Sequence, residues 1–229
     1  MATRKTAFVE GEYYHIYNRG VDKRNIFSDE FDVQRFFQSM EEFNVVEPIG
    51  SIYQNSFKKT TAVTQLGSST PKSITRLKLV NFVAYCLNPN HYHFILQQAS
   101  ERGIEKFMHR LGTGYTNYFN KNNKRNGALF QGRFKAVHIN SNNQLLQISA
   151  YVNLNDKVHQ LGSSTPKLVK SRSSWEEYTS VKHSSFCEKD IILDQFKSIK
   201  EYQKFAESYL ECVFKRRSGL KDMRGDLLE

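Results

Sequence analysis

Residues 77–96 read LKLVNFVAYCLNPNHYHFIL. Residues 77–86 form an apolar run of β-branched and aromatic type, Asn88, Pro89 and Asn90 are turn formers, and a second short apolar run begins at His91. The stretch therefore predicts a strand pair joined by a turn. Successive strand side chains alternate faces, so His91 and His93 share one face, about 6–7 Å apart along the strand. Two imidazoles at that spacing suit one divalent metal ion.

Outward from this pair, YYHIYN at 13–18 ends at Arg19-Gly20 and reads as a first strand entering a turn. From Asp29, the positions Phe31, Phe36, Phe37, Met40 and Phe43 recur near helical spacing, with Ser28 available as N-cap. Residues 102–120 carry Ile104, Phe107, Leu111, Tyr115 and Tyr118 at helical intervals, Phe130 to Ile139 alternate as a strand, and a last core helix spans about 142–155. The order strand, helix, strand pair, helix, strand, helix predicts an α+β fold, a ferredoxin-like antiparallel sheet with helices on one face. The octapeptide QLGSSTPK occurs at 65–72 and again at 160–167, and its composition favours exposed loops. The expected layout is a core over 8–160 interrupted by an insertion at about 56–74, a repeat-containing linker at 161–172, and a helical extension with a frayed tail over 173–229.

The 229 residues include 33 Lys and Arg against 23 Asp and Glu, a formal net charge of +10. That balance points to a polyanionic partner. Basic residues gather at Arg19, Lys23 and Arg24, at Lys121, Lys124 and Arg125, at Arg133 and Lys135, and at Lys215, Arg216 and Arg217. Tyr and Phe interleave with several of them, which suits base stacking beside phosphate contacts. No apolar run approaches the roughly 18 residues needed to span a bilayer, and MATRKTAFVEGEYY lacks the apolar segment of a signal peptide, so a cytoplasmic protein is expected. Cys86, Cys187 and Cys212 are odd in number and widely spaced, which argues against a disulfide framework or a zinc ribbon.

In QLLQISAYVNLND, Tyr151 and Asn155 are four residues apart and would project from one helical face. A phenolate at Tyr151 could attack a phosphate while the Asn155 carbonyl oxygen completes a metal shell. Tyr115 and Tyr118 are rival nucleophiles beside a basic run, read as core or stacking residues.

Taken in order, NPNHYHFIL, LFQGRFKAV and AYVNLN, with YHIYNRGVDKRNIF before them and SSWEEY after, resemble the REP-associated tyrosine transposases of the HUH single-strand nuclease superfamily. The similarity covers most of residues 12–180. It implies that His91 and His93 are the metal-binding pair, that Tyr151 is the catalytic tyrosine, and that Asn155 supplies a further ligand. It also implies Mg2+ or Mn2+ as cofactor, a 5′-phosphotyrosine intermediate with a free 3′-hydroxyl, and single-stranded DNA beside palindromic hairpins as substrate. Arg19, Lys23, Arg24, Arg133, Lys135, Lys121, Lys124 and Arg125 are the candidate nucleic-acid contacts. Superfamily members are monomers or dimers, and both states stay open here.

The chain departs from the family in having Asp156 where a proline is common, and in its QLGSSTPK insertions. Asp156 is an alternative ligand, its carboxylate being a harder donor than an amide. Two other functions remain open: a hairpin-binding protein without chemistry, and a metal-dependent ribonuclease that uses water.

Overall fold

The computed structural model describes residues 7–54, 77–160, 169–180 and 186–225. Five antiparallel strands form one sheet in the order β4-β1-β3-β2-β5. They are β1 (Tyr13–Arg19), β2 (Val80–Asn88), β3 (His91–Gln98), β4 (Lys135–Ile139) and β5 (Arg172–Ser173). The helices are α1 (Glu30–Glu42), α2 (Gly103–Asn122), α3 (Asn142–Asn153), α4 (Asn155–Gln160), α5 (Trp175–Thr179), α6 (Asp190–Leu193) and α7 (Ile199–Gly225). The expected α+β architecture stands, with β2 and β3 paired across the Asn-Pro-Asn turn from Val80↔Gln98 to Asn88↔His91.

The sheet buries both faces. On one, α1 and α2 pack Phe36, Met40, Phe107 and Leu111 against Ile16, Phe82, Phe94 and Leu96. On the other, Leu145, Ala150 and Val152 of α3 meet Val83, Ala84, Cys86 and Ile95 together with Tyr178, Tyr202 and Ala206 from the C-terminal helices. The one-faced arrangement of helices therefore holds for α1 and α2 and not for α3. A β-bulge decides which β2 residues serve which face: Phe82 pairs with Leu96 and Ala84 with Ile95, leaving Val83 as the extra residue. Past the bulge the alternation shifts by one, so Cys86 and Asn88 join the α3 face while Phe82, Tyr85 and Leu87 face α1 and α2.

Several boundaries differ from the sequence expectation. Asp29 rather than Ser28 caps α1, accepting the Asp32 N–H at 2.9 Å, while Asp32 reaches back to the Ser28 N–H at 2.7 Å. This reciprocal arrangement satisfies two orphan donors at once. Phe31 stands 73% exposed and leaves the apolar stripe to Val33, Phe36 and Met40. The strand expected from Phe130 begins only at Lys135, because Gly132 turns the chain at φ 68 and Phe130 contributes a single bridge to Gly20. The helix expected over 142–155 ends at Asn153, and Asn155 opens α4. Leu154 leaves helical geometry at φ −107 and ψ 14, and Val152, Asn153, Leu154 and Asn155 around this break are all buried.

The expected insertion at 56–74 and most of both QLGSSTPK copies lie outside the described residues. Residues 169–172, assigned by sequence to the linker, join the core: Val169 is buried and Arg172 pairs with Leu87. The helical pattern after Asp190 divides into α6 and α7, and α7 continues to Gly225 through the segment expected to fray. Lys, Arg, Leu and Met in that segment favour helix, and no proline interrupts it. Among the described residues no helix is long and apolar enough to cross a membrane.

Candidate active site

Strand register assembles the site. Arg19 and Asn88 flank His91 in β1 and β2, and Tyr17 and Cys86 flank His93. His91 and His93 project from the α3 face with ring centroids 5.3 Å apart and planes at 88°. Each imidazole is held through its Nδ1. His91 Nδ1 lies 2.6 Å from Asn90 Oδ1, and Asn90 in turn donates its amide to the Lys23 carbonyl at 3.1 Å, which fixes Oδ1 as the acceptor for His91. His91 therefore carries its proton on Nδ1 and its lone pair on Nε2. His93 Nδ1 lies 2.9 Å from His15 Nε2.

Helix α3 brings Tyr151 over these rings. Ser141 caps it by accepting the Gln144 N–H at 3.3 Å, and Leu145, Ala150 and Val152 seat it on the sheet. The Tyr151 ring meets His93 edge-on, centroids 5.6 Å apart at 87°, and His15 at 6.2 Å and 81°. Past the break at Leu154, buried Asn155 places Oδ1 3.2 Å from His91 Nε2. Asn88 ties the two together, its amide lying 2.9 Å from Asn155 Oδ1 and 3.1 Å from His91 Nε2, while its own Oδ1 accepts from Ser171 at 2.9 Å.

Two imidazole nitrogens and an amide oxygen make a mixed donor set suited to a divalent ion such as Mn2+, or to Mg2+ that keeps several waters. Asn155 Nδ2 is buried without a hydrogen-bond partner, a cost of about 1–3 kcal/mol. It is the donor set, two imidazoles and the Asn155 Oδ1 held beside His91, that fits a cation. Among the described residues no group of three His, Cys, Asp or Glu side chains forms a metal cluster, so Asp156 does not join the two histidines as such a third ligand.

A cleft of about 630 Å³ opens beside the histidines, lined by Tyr17, Asn18, Arg19, Lys23, Asn90, Gln131, Lys135 and Tyr151 as well as His91 and His93. No acidic side chain is in that lining. Of the basic candidates, Arg19, Lys23 and Lys135 reach the cleft; Arg133 lines a groove of about 1000 Å³ between α2 and the β1–β4 edge instead. Arg24 is exposed and 3.8 Å from Asp22. Lys121, Lys124 and Arg125 lie at the end of α2, with Arg125 over the Phe119 ring at 5.7 Å. The rival Tyr115 is fully buried on the opposite sheet face, donates its hydroxyl to the Ile26 carbonyl at 2.7 Å, and has its pKa raised by burial. Gly20 makes the turn into the basic loop possible, because a Cβ there would sit 2.0 Å from the Arg24 carbonyl oxygen.

Three residues of the site escaped the sequence reading. His15 and Tyr17 form near-parallel stacks with His93, centroids 5.1 and 5.5 Å away, and Asn88 bridges His91 and Asn155. Burial pushes the His15 imidazole down to about 4, so it is neutral at neutral pH. The available signal was the alternation in YYHIYNR, which puts Tyr13, His15, Tyr17 and Arg19 on one face.

Residues 51–155 match the model of the IS200-like transposase family. Among solved structures, a REP-associated tyrosine transposase bound to a REP hairpin shares the fold, with a TM-score of 0.50, 11% identity, and coverage of 81% of this chain and 90% of that one. No curated protein matches. The segment 51–155, which holds both histidines, Tyr151 and Asn155, is thus similar to the IS200-like transposase family, and the chain shares its fold with a REP-associated tyrosine transposase.

Proposed function

We propose that the protein cleaves and rejoins single-stranded DNA beside palindromic hairpins, with Tyr151 as nucleophile and a 5′-phosphotyrosine as intermediate. The observation that carries this reading is the edge-on seat of Tyr151 against His93, at 5.6 Å, in a basic cleft without acidic lining. The family match and the hairpin-bound structural neighbour support DNA as the partner.

Tyr151 Oη attacks the scissile phosphorus and forms a new P–O bond as the bond to the 3′ oxygen breaks. The phenol loses its proton to solvent, and the departing oxygen leaves with the bonding pair and is protonated to a 3′-hydroxyl. Rejoining reverses the sequence: a 3′-hydroxyl attacks the phosphotyrosine and the electron pair returns to Oη. His91, His93 and Asn155 would hold the divalent ion, Mg2+ or Mn2+, which when bound neutralises charge developing on the phosphate oxygens. Arg19, Lys23 and Lys135 contact the backbone, and the Tyr17 ring offers a base a stacking face.

The test is to incubate purified protein with end-labelled single-stranded hairpin oligonucleotides, with Mn2+ or with a chelator, and to look for a denaturant-resistant adduct. An adduct that needs Mn2+ and is lost in Tyr151→Phe supports the reading. Cleavage without an adduct would make water the nucleophile, and hairpin binding with neither would leave a binding protein without chemistry.

A further inference from the structure

The contact between His15 Nε2 and His93 Nδ1, at 2.9 Å, joins two strands through imidazoles that are 78 positions apart. A metal-ligating histidine is usually fixed by a partner on its other ring nitrogen, most often a carboxylate, a carbonyl or water. His91 follows that rule through Asn90 Oδ1. His93 has a neighbouring imidazole at the corresponding atom. We infer that His15 is a positioning residue whose Nε2 accepts the His93 Nδ1 proton, which fixes the His93 tautomer and leaves Nε2 as the nitrogen able to coordinate a cation. The inference rests on the proposed role of His91 and His93 as ligands.

The choice of an imidazole follows from the partner. A carboxylate at this point would place negative charge in a cleft whose lining carries none and which is proposed to admit a phosphate backbone. A neutral imidazole orients His93 and adds no repulsion. It also fits the packing: His15, Tyr17 and His93 form a triangle of rings with centroids 5.0, 5.1 and 5.5 Å apart, His15–His93 at 21° and Tyr17–His93 at 20°, and Tyr151 stands edge-on against His15 and His93. The same ring thus holds the ligand and borders the nucleophile.

A structural role in that cluster and a positioning role separate cleanly by substitution. His15→Phe keeps an aromatic ring and removes the acceptor; His15→Gln loses the ring and keeps an acceptor. Nitrogen-15 NMR of the metal-free protein reads the His93 tautomer, and calorimetric titration with Mn2+ reads affinity without DNA. The inference expects the wild type to protonate His93 on Nδ1, His15→Phe to shift protonation toward Nε2 and to bind Mn2+ about 10–100-fold more weakly, and His15→Gln to recover part of both. Hairpin affinity should change in neither variant. An unchanged tautomer and unchanged Mn2+ affinity in a folded His15→Phe protein would overturn the inference alone, as would weakening in both variants with the tautomer preserved. Wild-type protein that binds no Mn2+ would overturn the proposed function, and with it the role of His15 toward a cation.

Discussion

Asn155 Oδ1 lies 3.2 Å from His91 Nε2 although the helix carrying Tyr151 ends two residues earlier, at Asn153. The contact depends on the break at Leu154 and on the Asn88 amide, not on one continuous helical face. Asn155→Ala should therefore weaken Mn2+ binding at least about tenfold, while Asn155→Asp, which offers a harder oxygen, should retain or tighten Mg2+ binding. Titration calorimetry on the DNA-free protein checks both, and equal Mn2+ affinity in wild type and Asn155→Ala would remove Asn155 from the ligand set.

Tyr17 shares the cleft with Tyr151 and is the natural competitor for the nucleophile. Its ring stacks on His15 and His93, which phenylalanine preserves. Tyr17→Phe should keep adduct yield within about threefold of wild type, under 1 kcal/mol in barrier, against complete loss in Tyr151→Phe. Loss of the adduct in Tyr17→Phe alone would exchange the two assignments.

The basic residues divide by position. Arg19, Lys23 and Lys135 line the cleft, whereas Lys121 and Lys124 sit at the exposed end of α2. Neutralising any one of the first group should lower the salt dependence of single-strand binding by about 0.7 in the log–log slope, the expectation for one lost phosphate contact. Lys121→Ala and Lys124→Ala should leave single-strand cleavage rates unchanged. Equal slopes across both groups, measured by fluorescence anisotropy at several salt concentrations, would refute the division.

Tyr202 of α7 accepts the Asn153 amide hydrogen at 2.8 Å, and Asn153 Oδ1 accepts the Ser174 hydroxyl at 2.5 Å. All three residues are fully buried. Tyr202→Phe strands the Asn153 amide and should cost about 1–3 kcal/mol. The single tryptophan, Trp175, lies tilted against Tyr202 with ring centroids 6.1 Å apart, so its fluorescence in a urea titration reports the loss. A midpoint unchanged at constant slope would show that the network adds nothing to stability.

The histidine pair was legible because a period of two leaves no freedom once the strand is recognised, and β3 starts at His91 itself. The four-residue offset between Tyr151 and Asn155 presupposes an unbroken helix, whereas the break at Leu154, φ −107 and ψ 14, leaves no mark in the apolar pattern. His15 was illegible by itself, since one histidine in an aromatic strand reads as packing until the register with β3 is known. The bulge at Val83 was equally hidden. The apolar run FVAYCL at 82–87 has no polar–apolar alternation in which a slip of one residue would show.

The fastening of α3 by Ser174 and Tyr202 has a consequence in time as well as in space. A ribosome releases the histidine strand first, the tyrosine helix next and its fasteners last, and domains consolidate in roughly that order. Tyr151 is thus seated only once residues through Tyr202 have emerged, so a stalled product that ends before residue 174 carries His91, His93, Tyr151 and Asn155 and lacks the clasp that aligns them.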